Sequence, residues 1–268
     1  MKTSKRGRPA LDSAEILRRR IWYFHVISRT NRTHSELDMQ FDLFLQNRIS
    51  SSGPGKRRRK IWGDLRDKDL MPFKRDLQTF LALVDSDPEF NGTAKIYNSY
   101  LWRFFSKKTM SADELRKFIL EILEYYDAFY LRTYKTQSKA PKIEPIFKSK
   151  MHDFGKLQGY IRNLQSVTNL ITNEFDKLAL YGALFREAYY NADIDLAFFL
   201  DKVYINKWFE IKASKEWVPE TAEDLFDAVC GTRQFAHDIA VEKTYAAILK
   251  RAAKSTPAYN LLINEQED

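Results

Sequence analysis

The chain has 268 residues, enough for one large domain or two small ones. Hydrophobic residues make up 44% and charged residues 30%, a globular balance that excludes an intrinsically disordered chain. The net charge is +8, and it is segregated: residues 1–60 hold 15 basic and 5 acidic side chains, net +10, while the other 208 hold 29 and 31, net −2.

Gly and Pro are scarce, 9 and 8, which disfavours a turn-rich sandwich or barrel and predicts an all-α fold. The 38 aromatics (19 Phe, 14 Tyr, 5 Trp) supply bulky core material. Cys230 is the single cysteine, so no intrachain disulfide forms. The opening residues are charged and have no apolar stretch of the signal-peptide kind, and no apolar run is long enough to span a bilayer. The expected setting is the cytoplasm or nucleoid, with no membrane partner.

In chain order, residues 1–12 are basic, lack apolar periodicity and read as a flexible arm. Ser13 is placed to cap a helix running to about Arg29, with Leu17, Ile21, Phe24 and Ser28 on one face. Ser35 can cap a second helix whose apolar side is Leu37, Phe41, Phe44 and Leu45. Ser50-Ser51-Ser52-Gly53-Pro54-Gly55 predicts a loop, and Lys56-Arg57-Arg58-Arg59-Lys60 follows as an exposed cationic run.

Pro72 can open a helix containing Leu77, Phe80, Leu81 and Val84, and another covers Ile96 to Phe105. Ser111 and Glu114 form a capping-box pattern before the stripe Leu115, Phe118, Ile119, Ile122, Tyr126 and Phe129, predicting a helix to Tyr134. Lys135 to Lys148, with Pro141 and Pro145, reads as a linker or long loop. Helices are then expected over 150–171, 173–190, 193–210, 221–230 and 233–252, with a minor β-hairpin near 202–212 as an alternative carried by Val203, Ile205, Phe209 and Ile211. The expected organisation is a basic arm and helical region (1–60), a helical region (61–134), the linker (135–148) and a helical C-terminal region (149–268).

Lys5-Arg6-Gly7-Arg8-Pro9 resembles the core of an AT hook, a short minor-groove-binding element. The resemblance covers five residues and implies DNA contact by Arg6 and Arg8, beside Lys5. Glycine lets the backbone approach the groove floor, and guanidinium groups enter the negative potential of a narrow A·T groove. The stretch from Arg6 through Glu15-Ile16-Leu17 also looks like the opening of TetR-type repressors, all-helical dimers with a helix-turn-helix before a ligand domain. That likeness ends near residue 28, where no Gly-containing turn and no recognition helix follow, so the family is not assigned.

Arg18, Trp22, His25 and Arg29 are spaced to share one helical face, where guanidinium, indole and imidazole could grip phosphates and stack on bases. The competing reading is a charged outer face with Trp22 packed on a neighbouring helix. Lys56, Arg57, Arg58, Arg59 and Lys60 can track a phosphate backbone. Tyr97, Tyr100, Trp102, Arg103, Phe104, Phe105, Lys107 and Lys108 mix aromatics with cations as single-strand binders do, although Ile96, Tyr100 and Phe104 fit a buried stripe.

Enzyme readings find little support. Ser52-Gly53-Pro54-Gly55-Lys56-Arg57 departs from a phosphate-binding P-loop, which needs Gly at position 50 and Ser or Thr at position 57. His152-Asp153 and His237-Asp238 resemble HD-type phosphohydrolases only in those dipeptides. Cys230, before Gly231 at an expected helix end, reads as a structural thiol. No catalytic residue, metal site or cofactor is assigned. The expectation is a helical nucleic-acid-binding protein, with DNA ahead of RNA, in the role of a regulator or an accessory factor of a mobile element. Its near-neutral body would dimerise or bind a partner. The alternatives are a protein–protein interaction subunit and, behind it, a metal-dependent hydrolase built from dispersed acids such as Asp153, Glu174, Asp193 and Asp195.

Overall fold

The computed structural model describes residues 12–49, 61–68, 71, 77–106, 109–128, 163–191, 193–214 and 221–255. Among them the chain is all-α, with no strand. The arm over 1–11, the run over 50–60 and the linker over 135–148 lie outside the described residues.

Helix α1 (Ser13–Ile27) starts one residue earlier than Ser13 would set it: Asp12 is the cap, in extended backbone, and its carboxylate accepts from the Ala14 amide at 3.4 Å. Helix α2 (His34–Ile49) is capped by Thr33, not Ser35. The Thr33 hydroxyl accepts from the Glu36 amide at 3.3 Å, and the Glu36 carboxylate accepts from the Thr33 amide at 2.6 Å. Helix α3 (Ile61–Lys68) takes its first-turn partner from α2: the Trp62 amide donates to Asp38 at 3.2 Å.

Helix α4 (Leu77–Ser86) buries Phe80, Leu81 and Val84. The expected helix over Ile96 to Phe105 is two helices, α5 (Thr93–Tyr97) and α6 (Tyr100–Ser106), broken at Asn98 and Ser99. Gly92 precedes α5 with φ +82°, a left-handed conformation that side-chain-bearing residues adopt at a cost. Helix α7 (Ala112–Tyr125) has the predicted capping box, with both Ser111–Glu114 bonds formed. Its stripe Leu115, Phe118, Ile119 and Ile122 is buried.

After a helical stretch at 163–168 come α8 (Glu174–Tyr190), α9 (Ile194–Ala213) and α10 (Ala222–Ser255). Two expectations are corrected here. No hairpin forms near 202–212: Leu196, Leu200, Tyr204, Trp208 and Ile211 are all buried at helical spacing, and one buried face carries α9 through the β-branched residues. Nor does a helix end at Cys230, because α10 continues through Gly231. A glycine in a helix interior costs about 1 kcal/mol, too little to stop a helix that packs on both sides of it.

The chain divides into two compact units, each assembled from three separated stretches. The first contains residues 1–108, 171–179 and 206–228. Its core is aromatic: Trp22, Phe41, Trp62, Phe80, Phe90 and Tyr97 are buried together with Val26, Leu37 and Val84. The second contains residues 109–170, 180–205 and 229–268. There Tyr204 is buried and stacks on Phe185 at 6.2 Å, and the Arg186 guanidinium lies 5.1 Å from the Phe235 ring. Two ion pairs tie its helices: Arg116 to Glu187 at 2.9 Å, and Arg233 to both Asp201 oxygens at 2.6 and 2.7 Å.

Candidate nucleic-acid interface

The basic quarter of the sequence divides sharply once α1 and α2 are in place. Residues 12–49 hold six basic and five acidic side chains, net +1. The rest of the +10 lies in residues 1–11, with four cations and no acid, and in residues 50–60, with five cations and no acid. Lys5, Arg6, Arg8, Lys56, Arg57, Arg58, Arg59 and Lys60 belong to those two runs, outside the described residues.

The arginines of α1 are built into the first unit. Arg18 donates to the Tyr97 carbonyl at 2.6 Å, stands 3.8 Å over the Tyr97 ring and pairs with Glu15 at 3.2 Å. Arg19 pairs with the other Glu15 oxygen at 2.8 Å, and the Tyr97 hydroxyl donates to that same oxygen at 3.1 Å. Burial, reinforced by the neighbouring Glu15 carboxylate, pushes the Tyr97 hydroxyl up to about 12, so it stays protonated as a donor. Arg20 meets Asp224 at 3.5 Å on an exposed surface.

Arg29 donates to the Asn91 carbonyl at 2.8 Å. Arg32 pairs with Asp87 at 3.2 Å and with Glu89 at 3.0 Å. Burial opposes ionisation of Asp87, but the Glu89 amide, Gln40 and Arg32 together hold its carboxyl below the usual carboxylate range.

The stripe Arg18, Trp22, His25 and Arg29 is therefore not an open nucleic-acid-binding face. Trp22 has no exposed surface and is packed against Trp62, Phe80 and Tyr97, so its indole is not offered to a base. His25 is buried with its ring edge against Phe175, centroids 6.1 Å apart. Burial, with the nearby Arg29 charge, lowers its pKa to about 4, so the imidazole is neutral at pH 7. The interleaved aromatics of α5 and α6 are core as well: Tyr97, Trp102, Phe104 and Phe105 are buried.

Asp176, which the sequence did not single out, is buried and organises the start of α6. It accepts from the Ser99 hydroxyl at 2.5 Å and from the Tyr100 amide at 2.7 Å. Two of the acids considered for a dispersed active site serve their own surroundings. Glu174 pairs with Lys177 at 2.6 Å and Lys207 at 2.8 Å, and Asp193 accepts from the Leu196 amide at 3.2 Å. Asp195 is exposed, and Asp153 lies outside the described residues. The His237 ring is 3.0 Å from the Tyr189 hydroxyl, while Asp238 accepts from Gln234 at 2.8 Å. Among the described residues no group of three or more His, Cys, Asp and Glu is placed to hold a metal ion.

Two of the cavities in the first unit are walled by described residues. One, of about 320 Å³, opens beside the start of α1 between Leu17, Phe105 and Ala228, with Arg20, Asp224 and Asp227 at its edge. The other, of about 390 Å³, is walled by His25, Ile96, Asn173, Phe175, Glu210 and Ile211. Both fall in the size range of small-ligand sites. The amide of Asn173 is already engaged, donating to the Lys95 carbonyl at 3.0 Å. No described helix is long and apolar enough to cross a membrane. Compared with known protein families, curated proteins and solved structures, the chain matches none.

Proposed function

We propose that the chain binds nucleic acid, with DNA ahead of RNA, through two cationic runs attached to a helical body. The observation that carries this reading is charge placement. Nine of the ten excess positive charges in residues 1–60 fall in residues 1–11 and 50–60, neither of which contains an acidic residue. Four of the six arginines between them pair with acids: Glu15 for Arg18 and Arg19, Asp224 for Arg20, Asp87 and Glu89 for Arg32. The two runs have no such compensation in sequence, which suits contact with a polyanion.

Lys56 to Lys60 is the phosphate-contacting element in this reading, and it leads directly into Ile61 and Trp62 of the core. Arg6 and Arg8 favour DNA, since Arg-Gly-Arg-Pro suits a narrow minor groove. Arg18, Trp22 and Arg29 act as scaffold.

Fluorescence anisotropy with labelled duplex DNA, single-stranded DNA and RNA, over a salt series, tests the proposal. The expected result is binding at low salt that weakens steeply as salt rises, tightest for A·T-rich duplex. Absence of binding to all three at low salt overturns it. An acidic protein surface then becomes the partner class for the same cations.

A further inference from the structure

Helix α9 carries an exposed stripe opposite its buried side, and that stripe is arranged symmetrically. Its buried side carries Leu196, Leu200, Tyr204, Trp208 and Ile211. On the opposite side Phe198 and Phe209 are 59% and 52% exposed. Successive helical residues turn by about 100°, so these two rings, eleven residues apart, differ in direction by only about 20°. Exposed phenylalanines on one stripe are an uncommon feature of a solvated helix.

The rest of the stripe repeats about the same midpoint, between residues 203 and 204. Asp195 and Lys212 are equidistant from it, as are Phe198 and Phe209, and Lys202 and Ile205. Asp195 is in the first turn of the helix and Lys212 in the last. Asp195, Lys202 and Lys212 are exposed, and Ile205 is half-buried. The Lys202 ammonium already sits 4.5 Å from the Phe198 ring centroid.

We propose that this face of α9 pairs with α9 of a second copy of the chain, antiparallel, about a two-fold axis crossing the helix between residues 203 and 204. A two-fold interface places residue i against j and j against i. Each Phe198 then meets the Phe209 of the other copy, and each Asp195 faces a Lys212 of opposite charge. Parallel pairing would set Asp195 against Asp195 and Lys212 against Lys212. The charge pattern therefore selects the antiparallel two-fold arrangement over the parallel one. The antiparallel arrangement also sets each helix N-terminus beside its partner's C-terminus, where the end charges attract. The inference stands whether or not the chain binds nucleic acid.

Sedimentation velocity of the full chain over a roughly hundredfold concentration range reads the association directly. The expected result is a reversible monomer–dimer exchange. Phe198→Glu and Phe209→Glu should each weaken it by at least about tenfold, as loss of a central interface aromatic does. Asp195→Lys and Lys212→Asp should each weaken it too, because each sets like charges face to face, and the doubly exchanged chain should recover association. Far-ultraviolet circular dichroism confirms that each variant keeps its helix content. A monomer throughout overturns the proposal. So does a dimer indifferent to both phenylalanine changes, or a double exchange that stays as weak as the single ones.

Discussion

Trp22 and Trp62 stack in the core of the first unit with ring centroids 5.7 Å apart and planes inclined by 19°, and neither has exposed surface. The contact joins α1 to the first turn of α3, two residues after the cationic run ends at Lys60. Phe80 packs against both indoles, at 6.0 Å from each. Truncating either indole should therefore open a large cavity where three helices meet. Trp22→Ala and Trp62→Ala should each cost about 3–5 kcal/mol in urea unfolding, and Trp22→Phe clearly less.

The two classes of basic residue should give opposite signatures. Replacing Lys56 to Lys60 with Ser or Gln should weaken nucleic-acid binding for all sequences alike. It should flatten the plot of log affinity against log salt by about 0.7–0.9 per lost phosphate contact. The melting temperature should hold. Replacing Arg6 and Arg8 should reduce affinity more for A·T-rich than for G·C-rich duplex, measured in parallel titrations.

Arg18→Gln should do the reverse. It loses the bond to the Tyr97 carbonyl, the contact with the Tyr97 ring and the pairing with Glu15. Stability should fall by about 1–2 kcal/mol, while the salt slope of binding stays as in the parent. A flattened slope without loss of stability would return Arg18 to the interface.

His25 should make stability depend on pH. Its folded pKa, lowered to about 4, lies below the ordinary 6.5, so between these values the unfolded chain binds the proton more readily. Stability should be flat above about pH 7 and fall as pH drops from 6.5 towards 4, by at most about 3 kcal/mol. Denaturation at pH 7.5 and pH 5 should show this loss, and His25→Gln should remove most of it.

Two glycines, Gly231 and Gly92, should respond with opposite signs. At Gly231, inside α10, an added Cβ meets nothing within 4 Å, so Gly231→Ala should stabilise by about 0.5–1 kcal/mol. At Gly92, with φ +82°, alanine is forced into the left-handed region and should destabilise by about 1–2 kcal/mol. Thermal melts of the two variants should move in opposite directions.

What could be read from sequence was mostly what is local in sequence. The Ser111–Glu114 box and the stripe Leu115, Phe118, Ile119 and Ile122 lie within one segment and form as expected, but the helix expected to reach Tyr134 ends at Tyr125, with Tyr126 as its C-cap. Caps moved by one or two positions where an equally good side chain stood nearby, Asp12 for Ser13 and Thr33 for Ser35. The hairpin reading of 202–212 failed because Val203, Ile205, Phe209 and Ile211 suit a strand, whereas the Leu196–Leu200–Tyr204–Trp208 ladder extends over more turns.

The stripe Arg18, Trp22, His25 and Arg29 was misleading for a different reason. Helical spacing defines a face but not what covers it, and the coverings come from Trp62, Phe80 and Tyr97. The Arg18–Tyr97 and Arg29–Asn91 bonds span 79 and 62 residues, beyond any local pattern. Asp176 was overlooked because its partners, Ser99 and Tyr100, are likewise far away in sequence.

The scattered make-up of the first unit bears on how it is born. Its aromatic cluster draws on residues 22 to 97 and can assemble while synthesis continues. Asp176, on which the start of α6 depends, is added later, and the unit's last stretch ends only at residue 228. A nascent chain halted after residue 108 would thus hold the tryptophan stack but lack the carboxylate that seats Tyr100 and the ring of Phe175 that lies against Trp102. The aromatic core of the first unit is thus in place well before the unit itself is complete.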